Sequence, residues 1–543
     1  MSHRRLAATL SLFGSLFLVI LILLTEIQCT PHPGSLSSGS QAEADSIVPY
    51  VVPFDMPQLR KPEFPPLRVS ILDCQAQEGG TVKCTEAIRE AISRVTNAGG
   101  GTVVIPKGKW LTGAIRLANN INLYLEEGAE LLFSQDTSDY LPVVFSRHED
   151  VECYKYSAFI YAEGVHNIAI TGKGVLNGQG KPWWSYKTDR KQSEVLLYEM
   201  GKNGVPLNER IFDGSNGRAL RPAFFQPMNC TNILVEGVTF LYGAFWTITP
   251  TYCENIIVRN IRIETEGDYG HTPNGDGVDP SSCRNMLIEN CIFDTGDDCI
   301  AIKAGRDNDG LRVNKPTENI VIRNCRGLRG HGGIVIGSET SGSIRNIVAE
   351  HCEFSGTDRI VRIKTARGRG GIIENMWFSN MRGDNIQLEA LHLNMLYTGN
   401  RLPAQPLTQT TPVIRNIHYD SIICSSGKTY AIEILGLPEQ NVENITFTNI
   451  IATTEKGVNI SDAKGIQISH SYFKSSVPPL IQVTDAKEIM LDNITIPGDV
   501  QKYLAVEGPS SSAITVQRTI IPNGKQGIVL GNDVPQNAVL IKE

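Results

Sequence analysis

The sequence predicts an all-β fold, a single right-handed parallel β-helix: a solenoid of stacked coils with a short helix over its N-terminal end. Three observations carry that reading. A motif of the form Asn-Ile-x-Ile-x-x-x starts at Asn167, Asn232, Asn255, Asn285, Asn319, Asn346, Asn375, Asn416 and Asn444, mostly 21 to 34 residues apart, with weaker copies near Gly465 and Glu488. The first and third residues after the Asn are usually large and apolar (Ile233/Val235, Ile256/Val258, Ile320/Ile322), and that two-residue period belongs to a strand with one buried face. Helical periodicity is missing from the repeats, as are WD and leucine-rich signatures, so strand, bend and strand must stack coil upon coil.

Taken in chain order, the elements divide into three parts. Arg4 and Arg5 precede an apolar run from Leu6 to Leu24, the layout of a signal peptide over residues 1–29, with an uncleaved signal anchor as the alternative. Cys29 follows Glu26-Ile27-Gln28, a poor lipobox. Residues 30–66 read as a polar, Pro-rich linker, and 67–543 as the β-helix. Thr85 to Ile92 places Ala and Ile at helical spacing before Gly99-Gly100-Gly101, which suits a cap on the open end of a solenoid. The sixth residue after each Asn forms a second ladder, Val238, Ile261, Cys291, Cys325, Cys352, Met381, Ile422 and Ile450, in which cysteine serves as a small hydrophobe. The fifth is often Asn again (Asn260, Asn290, Asn324, Asn380, Asn449), as at a repeated bend. Residues after Pro497 carry little of the pattern.

Composition narrows the function. The 543 residues are 41% hydrophobic and 20% charged with a net charge of −7, which describes a globular protein without the basic field that nucleic acid requires. A membrane is reached only through the N-terminal run. No zinc motif or nucleotide loop is present, so neither a cofactor nor a metal is expected. Oligomeric state is not encoded in any recognisable signal.

Four clusters interrupt the repeats: Asn274-Gly275-Asp276-Gly277-Val278-Asp279, Asp294-Thr295-Gly296-Asp297-Asp298-Cys299, Gly330-His331-Gly332-Gly333 and Arg362-Ile363-Lys364. Asp276, Asp297, His331 and Arg362 are 21, 34 and 31 residues apart, each gap near one coil, and residues one coil apart stack about 4.8 Å apart. Asp297 and His331 share an offset of twelve residues from their Asn, whereas Asp276 lies nine beyond it, which places an insertion in its coil near Glu266–His271. Packed carboxylates raise one another's pKa, so one keeps a proton while another ionises. Such a pair suits glycosidic hydrolysis, with inversion where about 6.5–9.5 Å leaves room for a water.

These clusters, in this order, resemble glycoside hydrolase family 28, the polygalacturonases, and the resemblance extends over about Val69 to Ile496, including Gly99 to Pro106. It implies that Asp297 is the general acid, that Asp276 and Asp298 activate the water, and that His331 tunes the acid. Asn274 would support the site, and Arg362 and Lys364 would hold the sugar carboxylate. The loops Gly305–Arg312, Ile336–Gly342 and Arg362–Gly371 look most like those of bacterial exo-polygalacturonases, which makes Arg306 and Arg312 candidates for the chain end. The implied substrate is pectin or polygalacturonate outside the cell, by a secreted, periplasmic or cell-surface enzyme. Gly275 stands where Thr is usual, which is expected to loosen the loop, and Thr249 stands where His is common, which leaves xylogalacturonan or rhamnogalacturonan open as substrates. A calcium-dependent lyase and a non-catalytic carbohydrate-binding β-helix are the competing readings.

Overall fold

The computed structural model of the chain describes residues 46–397, 399–497, 500–521 and 524–542. The predicted signal segment and Cys29 lie outside the described residues. From Pro49 onward the chain is one compact unit, and the part of the expected linker within it is not a tether. Lys61 pairs with Glu236 at 2.9 Å, Asn319 donates to the Asp55 carbonyl at 3.1 Å, and the Phe54 ring lies 6.0 Å from Trp377. Residues 49–66 therefore run as a strap along the solenoid, held by contacts with residues more than 170 positions away.

The solenoid is a right-handed parallel β-helix whose coils share one 32-stranded sheet system. One register runs Ile168, Ile233, Ile256, Met286, Ile320, Ile347, Met376, Ile417, Ile445, Ile466, Ile489 and Ile514, each paired with the next coil. All are buried in one continuous core. Each predicted repeat Asn has φ between +51° and +61°, a left-handed conformation that Asn tolerates better than other residues with a side chain. Their amides form a ladder, Asn232 to Asn167 (3.0 Å), Asn255 to Asn232 (3.2 Å), Asn285 to Asn255 (3.2 Å), Asn319 to Asn285 (3.1 Å) and Asn346 to Asn319 (3.0 Å). The second set of bend asparagines also has positive φ. Cys291, Cys325 and Cys352 are fully buried, and the eleven described cysteines are free thiols.

The capping helix α1 (Thr85–Asn97) is longer than the predicted stretch and buries Ala87, Ile88, Ala91, Ile92 and Val95 against the first coils. At the other end the coils continue past Pro497 through Leu504–Glu507, Ser512–Gln517, Ile528–Leu530 and Val539–Lys542. The first of these coils escapes a sequence search because its bend residue is Ala513, which keeps the positive φ without the Asn, as Gly465 and Glu488 do in the weaker copies before Pro497.

The floor that carries the predicted site is built from β1 (Ile300–Ile302), β2 (Ile334–Ile336), β3 (Val361–Lys364) and β4 (Leu391–Asn394), paired in that order. Insertions outside the repeats build a wall beside it. An antiparallel pair, Val144–His148 with Val151–Lys155, is joined by Ile211–Phe212 and packs with helix α2 (Lys191–Lys202) around Val151, Cys153, Leu197, Phe212 and Leu220. The predicted loop after Gly305 forms helix α3 (Asp307–Val313), whose Asp309 is buried and pairs with Arg210 of the wall at 2.7 Å.

Asn285 both donates and accepts in the ladder and sits in the left-handed region. Asn285→Ala is expected to lower unfolding free energy by about 2 kcal/mol, from lost hydrogen bonds and backbone strain together. Asn285→Gly should lower it by less, since glycine carries no Cβ penalty there. Denaturant unfolding of both variants checks the order.

Candidate active site

Three carboxylates converge because two adjacent coils are in register. Val278 bridges Ile300, so Asp276 and Asp298, each two residues earlier, stand on adjacent coils at the same step. The backbone continues the alignment, with Gly277 N–H donating to the Asp298 carbonyl at 3.0 Å and Thr247 N–H to the Asp276 carbonyl at 2.9 Å. Oxygens of Asp276, Asp297 and Asp298 lie within 4.8 Å of one another. That is closer than the 6.5–9.5 Å window expected from the sequence for an inverting pair. A water bonded at ~2.8 Å to each of two oxygens this far apart still fits between them.

His331, one coil beyond Asp297, meets it as the shared offset predicts: Nδ1 lies 3.0 Å from Asp297 Oδ1, and the His331 N–H donates to the Asp297 carbonyl at 3.1 Å. Lys364 Nζ donates to Asp298 Oδ2 at 2.7 Å. The ammonium is thus committed to a carboxylate of the site, whereas the buried Arg362 Nε has no partner. The Tyr397 ring spans both cations, with Arg362 at 5.3 Å and Lys364 at 5.4 Å from its centroid.

Sequence reasoning missed Lys303. It follows Ile300 by three residues as Lys364 follows Val361, and the register Ile300, Ile334, Val361 sets the two lysines two coils apart. Lys303 is 3% exposed, with Asp276 at 3.9 Å, Asp279 at 3.7 Å, Glu339 at 3.5 Å and the Trp246 ring at 4.4 Å. The offset was the available signal; without the coil register it reads as one lysine among many.

These cations decide where protons sit. Burial, then the charges of Asp297 and Asp279, push Asp276 well above the usual carboxylate range. Burial acts on Asp297 in the same direction, but the hydrogen bond and charge of His331, with Lys364 and Lys303, outweigh it and hold Asp297 below that range. The bond to Asp297 in turn raises His331, against the effect of its partial burial. The resemblance makes Asp297 the acid, yet in the free protein Asp276 is the carboxyl with raised proton affinity and Asp297 the one with lowered affinity, beside a His331 that is raised. The three carboxylates could chelate a cation, yet Lys364, His331 and Lys303 already balance their charge.

Asn274 has φ +52°, and its side-chain oxygen accepts from Lys187 at 2.5 Å and Arg221 at 2.7 Å, both from the wall. The other two candidates lie in wall contacts. Arg306 pairs with Glu149 at 2.9 Å and lies 3.6 Å from the Tyr198 ring centroid, while Arg312 binds Glu152 and Asp309. The insertion predicted at Glu266–His271 is a small antiparallel hairpin. Thr249 is buried and its hydroxyl turns to the Phe225 carbonyl at 3.4 Å.

The loop around Gly275 is tight rather than loose. A Cβ at Gly275 would lie 2.7 Å from both Thr265 Oγ1 and the Thr272 carbonyl. The Thr265 hydroxyl donates to the Gly275 carbonyl at 2.6 Å and accepts from Gly296 N–H at 3.0 Å, tying together the loops of Asp276 and Asp297. Thr265 occupies the space that a side chain at 275 would need.

The family model for Glycosyl hydrolases family 28 matches residues 212–477, which hold the four clusters but not wall helix α2. The chain is 35% identical to an exopolygalacturonase from Thermotoga maritima of known crystal structure, over 81% of this chain and 94% of that one, with a TM-score of 0.69. It is 28% identical over 415 residues to a probable polygalacturonase from Vitis vinifera, covering 73% of this chain and 77% of the relative. It is 26% identical over 440 residues to an exo-poly-alpha-D-galacturonosidase from Dickeya chrysanthemi, covering 76% and 71%. The chain belongs to glycosyl hydrolase family 28 and is a glycoside hydrolase. No helix among the described residues is long and apolar enough to cross a membrane.

Gly275→Thr is expected to lower kcat more than tenfold and to reduce thermal stability, since the loop must shift. Thr265→Ala combined with Gly275→Thr should recover part of both. Kinetics and melting of the single and double variants check the compensation.

Proposed function

We propose that this enzyme hydrolyses α-1,4-galacturonosidic bonds of pectin from the end of the chain, by single displacement with water. The observation that carries the reading is the site's charge pattern: three carboxylates with oxygens within 4.8 Å of one another beside an arginine with an unpartnered, buried Nε. An arginine so placed suits the carboxylate of a uronate and gives a neutral sugar no comparable contact. The similarity to an exopolygalacturonase, a probable polygalacturonase and an exo-poly-alpha-D-galacturonosidase favours the same substrate.

In this reading Asp297 protonates the departing glycosidic oxygen, and a water held by Asp276 and Asp298 attacks the anomeric carbon. Substrate binding loads the acid. A uronate carboxylate beside Arg362 and Lys364 cancels part of the positive field that keeps Asp297 ionised. Its proton affinity rises, and a proton moves within the coupled cluster from the Asp276 side toward Asp297, freeing Asp276 to act as base. The wall, meeting the site at Asn274, closes one side of the carboxylates, so that only a chain terminus enters and galacturonic acid leaves one unit at a time. The apolar N-terminal run supports export to where pectin lies.

Product analysis on polygalacturonate with EDTA present tests the reading. Saturated galacturonic acid is expected from the outset, first as the β anomer. Unsaturated products or EDTA inhibition would replace the hydrolase with a lyase, the α anomer would replace inversion with retention, and mixed oligomers would remove the chain-end preference. Asp297→Asn and Asp276→Asn should each lower kcat by about 10²–10⁴. An activated aryl galacturonide should restore turnover to the first and not the second, because only the acid's work is done by a good leaving group.

The pH dependence follows from the pair at Asp297. The proton on His331 is present below its raised pKa and lost above it. Activity should therefore fall on the alkaline side at a pH above the ordinary histidine value of about 6.5. In His331→Asn the acid must keep its own proton, and the alkaline limb of kcat/KM should move to lower pH.

A further inference from the structure

We propose that Arg221 is a positioning residue for catalysis: reaching from the wall, it aims Asp276, so that the segment enclosing the cleft is also part of the catalytic machinery. The inference rests on Asp276 acting in the reaction as described above. Neither oxygen of the Asp276 carboxylate is held tightly. Oδ1 is buried without a hydrogen-bond partner, and the contact of Oδ2 with Lys303 is 3.9 Å. Its other partner, the Asp279 side chain, is carried by the same loop, so the placement of Asp276 depends on the backbone of that loop.

Arg221 grips that loop. It is 1% exposed, and its guanidinium donates through Nη1 to the Pro273 carbonyl at 2.6 Å and through Nη2 to Asn274 Oδ1 at 2.7 Å. Two parallel donors on a planar fork define orientation as well as distance, which a lysine cannot do. The fork is itself fixed from behind. Glu194 of α2 lies 3.3 Å from Nη2, and the Phe245 ring lies 4.7 Å from the guanidinium carbon. His148 stacks on the same ring at 4.6 Å and reaches Glu194 at 3.5 Å. A guanidinium is costly to bury, and the hydrogen bonds that offset this one go to Pro273, Asn274 and Glu194. Its bonds run from the wall to the two residues just before Gly275 and Asp276. A displacement of about 1 Å at a reacting group is enough to slow a reaction 10²-fold.

The test is a kinetic series on the full chain. Arg221→Lys is expected to lower kcat at least ~30-fold, with KM within threefold and a melting temperature within a few degrees of wild type. The loss should be equal on polygalacturonate and on an activated aryl galacturonide, since it strikes the base and not the acid. Arg221→Gln with Glu194→Gln removes both buried charges and should show the same kcat loss, which keeps the test valid if the lysine variant folds poorly. Because Arg221 acts through the loop, Asn274→Ala with Arg221→Lys should be no more than twofold worse than the poorer single variant. Wild-type kcat in a folded Arg221 variant, or losses that multiply in the double variant, would overturn the proposal. A fully active Asp276→Asn would instead remove the role given to Asp276, and with it the ground for the strut.

Discussion

Everything in this molecule depends on one constraint, the in-register stacking of coils at strand spacing. It is enforced at the bends, where a residue of every coil turns through the left-handed region and the asparagine amides bond from coil to coil. Once the bends are aligned, the apolar positions fall into continuous buried columns. Anything carried between the columns is delivered at a fixed step. Asp276 and Asp298 meet for this reason, as do Asp297 and His331, without a dedicated scaffold.

Stacking also creates the site's electrostatic problem. Three carboxylates within 4.8 Å repel one another, and the buried Asp279 adds a fourth acid. The same register supplies the answer, since Lys303 and Lys364 stand at one step two coils apart with the acids beside them. Each lysine is buried, and each is held as a cation by acids that outweigh the cost of burial. The resulting balance raises the proton affinity of Asp276 and lowers that of Asp297, a difference that identical residues need if they are to do different work.

The wall answers a different need. A solenoid face is open along its length, and nothing in the repeat can block it. The inserted strands and helices do so, with their own small core and buried pairs such as Arg210 with Asp309. They meet the repeat at Asn274, two residues before Asp276, through Arg221.

Much of this was legible in the sequence. A repeating Asn with apolar residues at a period of two encodes both the bend and the strand, because both are local preferences of the backbone. The alignment of Asp297 with His331 followed from counting along it, and so did an insertion at Glu266–His271, which the structure shows as a hairpin. The coils after Pro497 were not legible, since Ala513 keeps the bend without its usual residue. By itself, then, the sequence determined the repeat, the fold and the acidic and basic groups brought together. Only the tertiary structure decided which of them hold one another. Lys364 on Asp298, Thr265 filling the space beside Gly275, the strap over residues 49–66 and Arg221 on Asn274 are contacts between segments that no local spacing relates. Proton positions belong with them, because a pKa is set by burial and by charges arriving from other coils, and neither exists until the chain has folded.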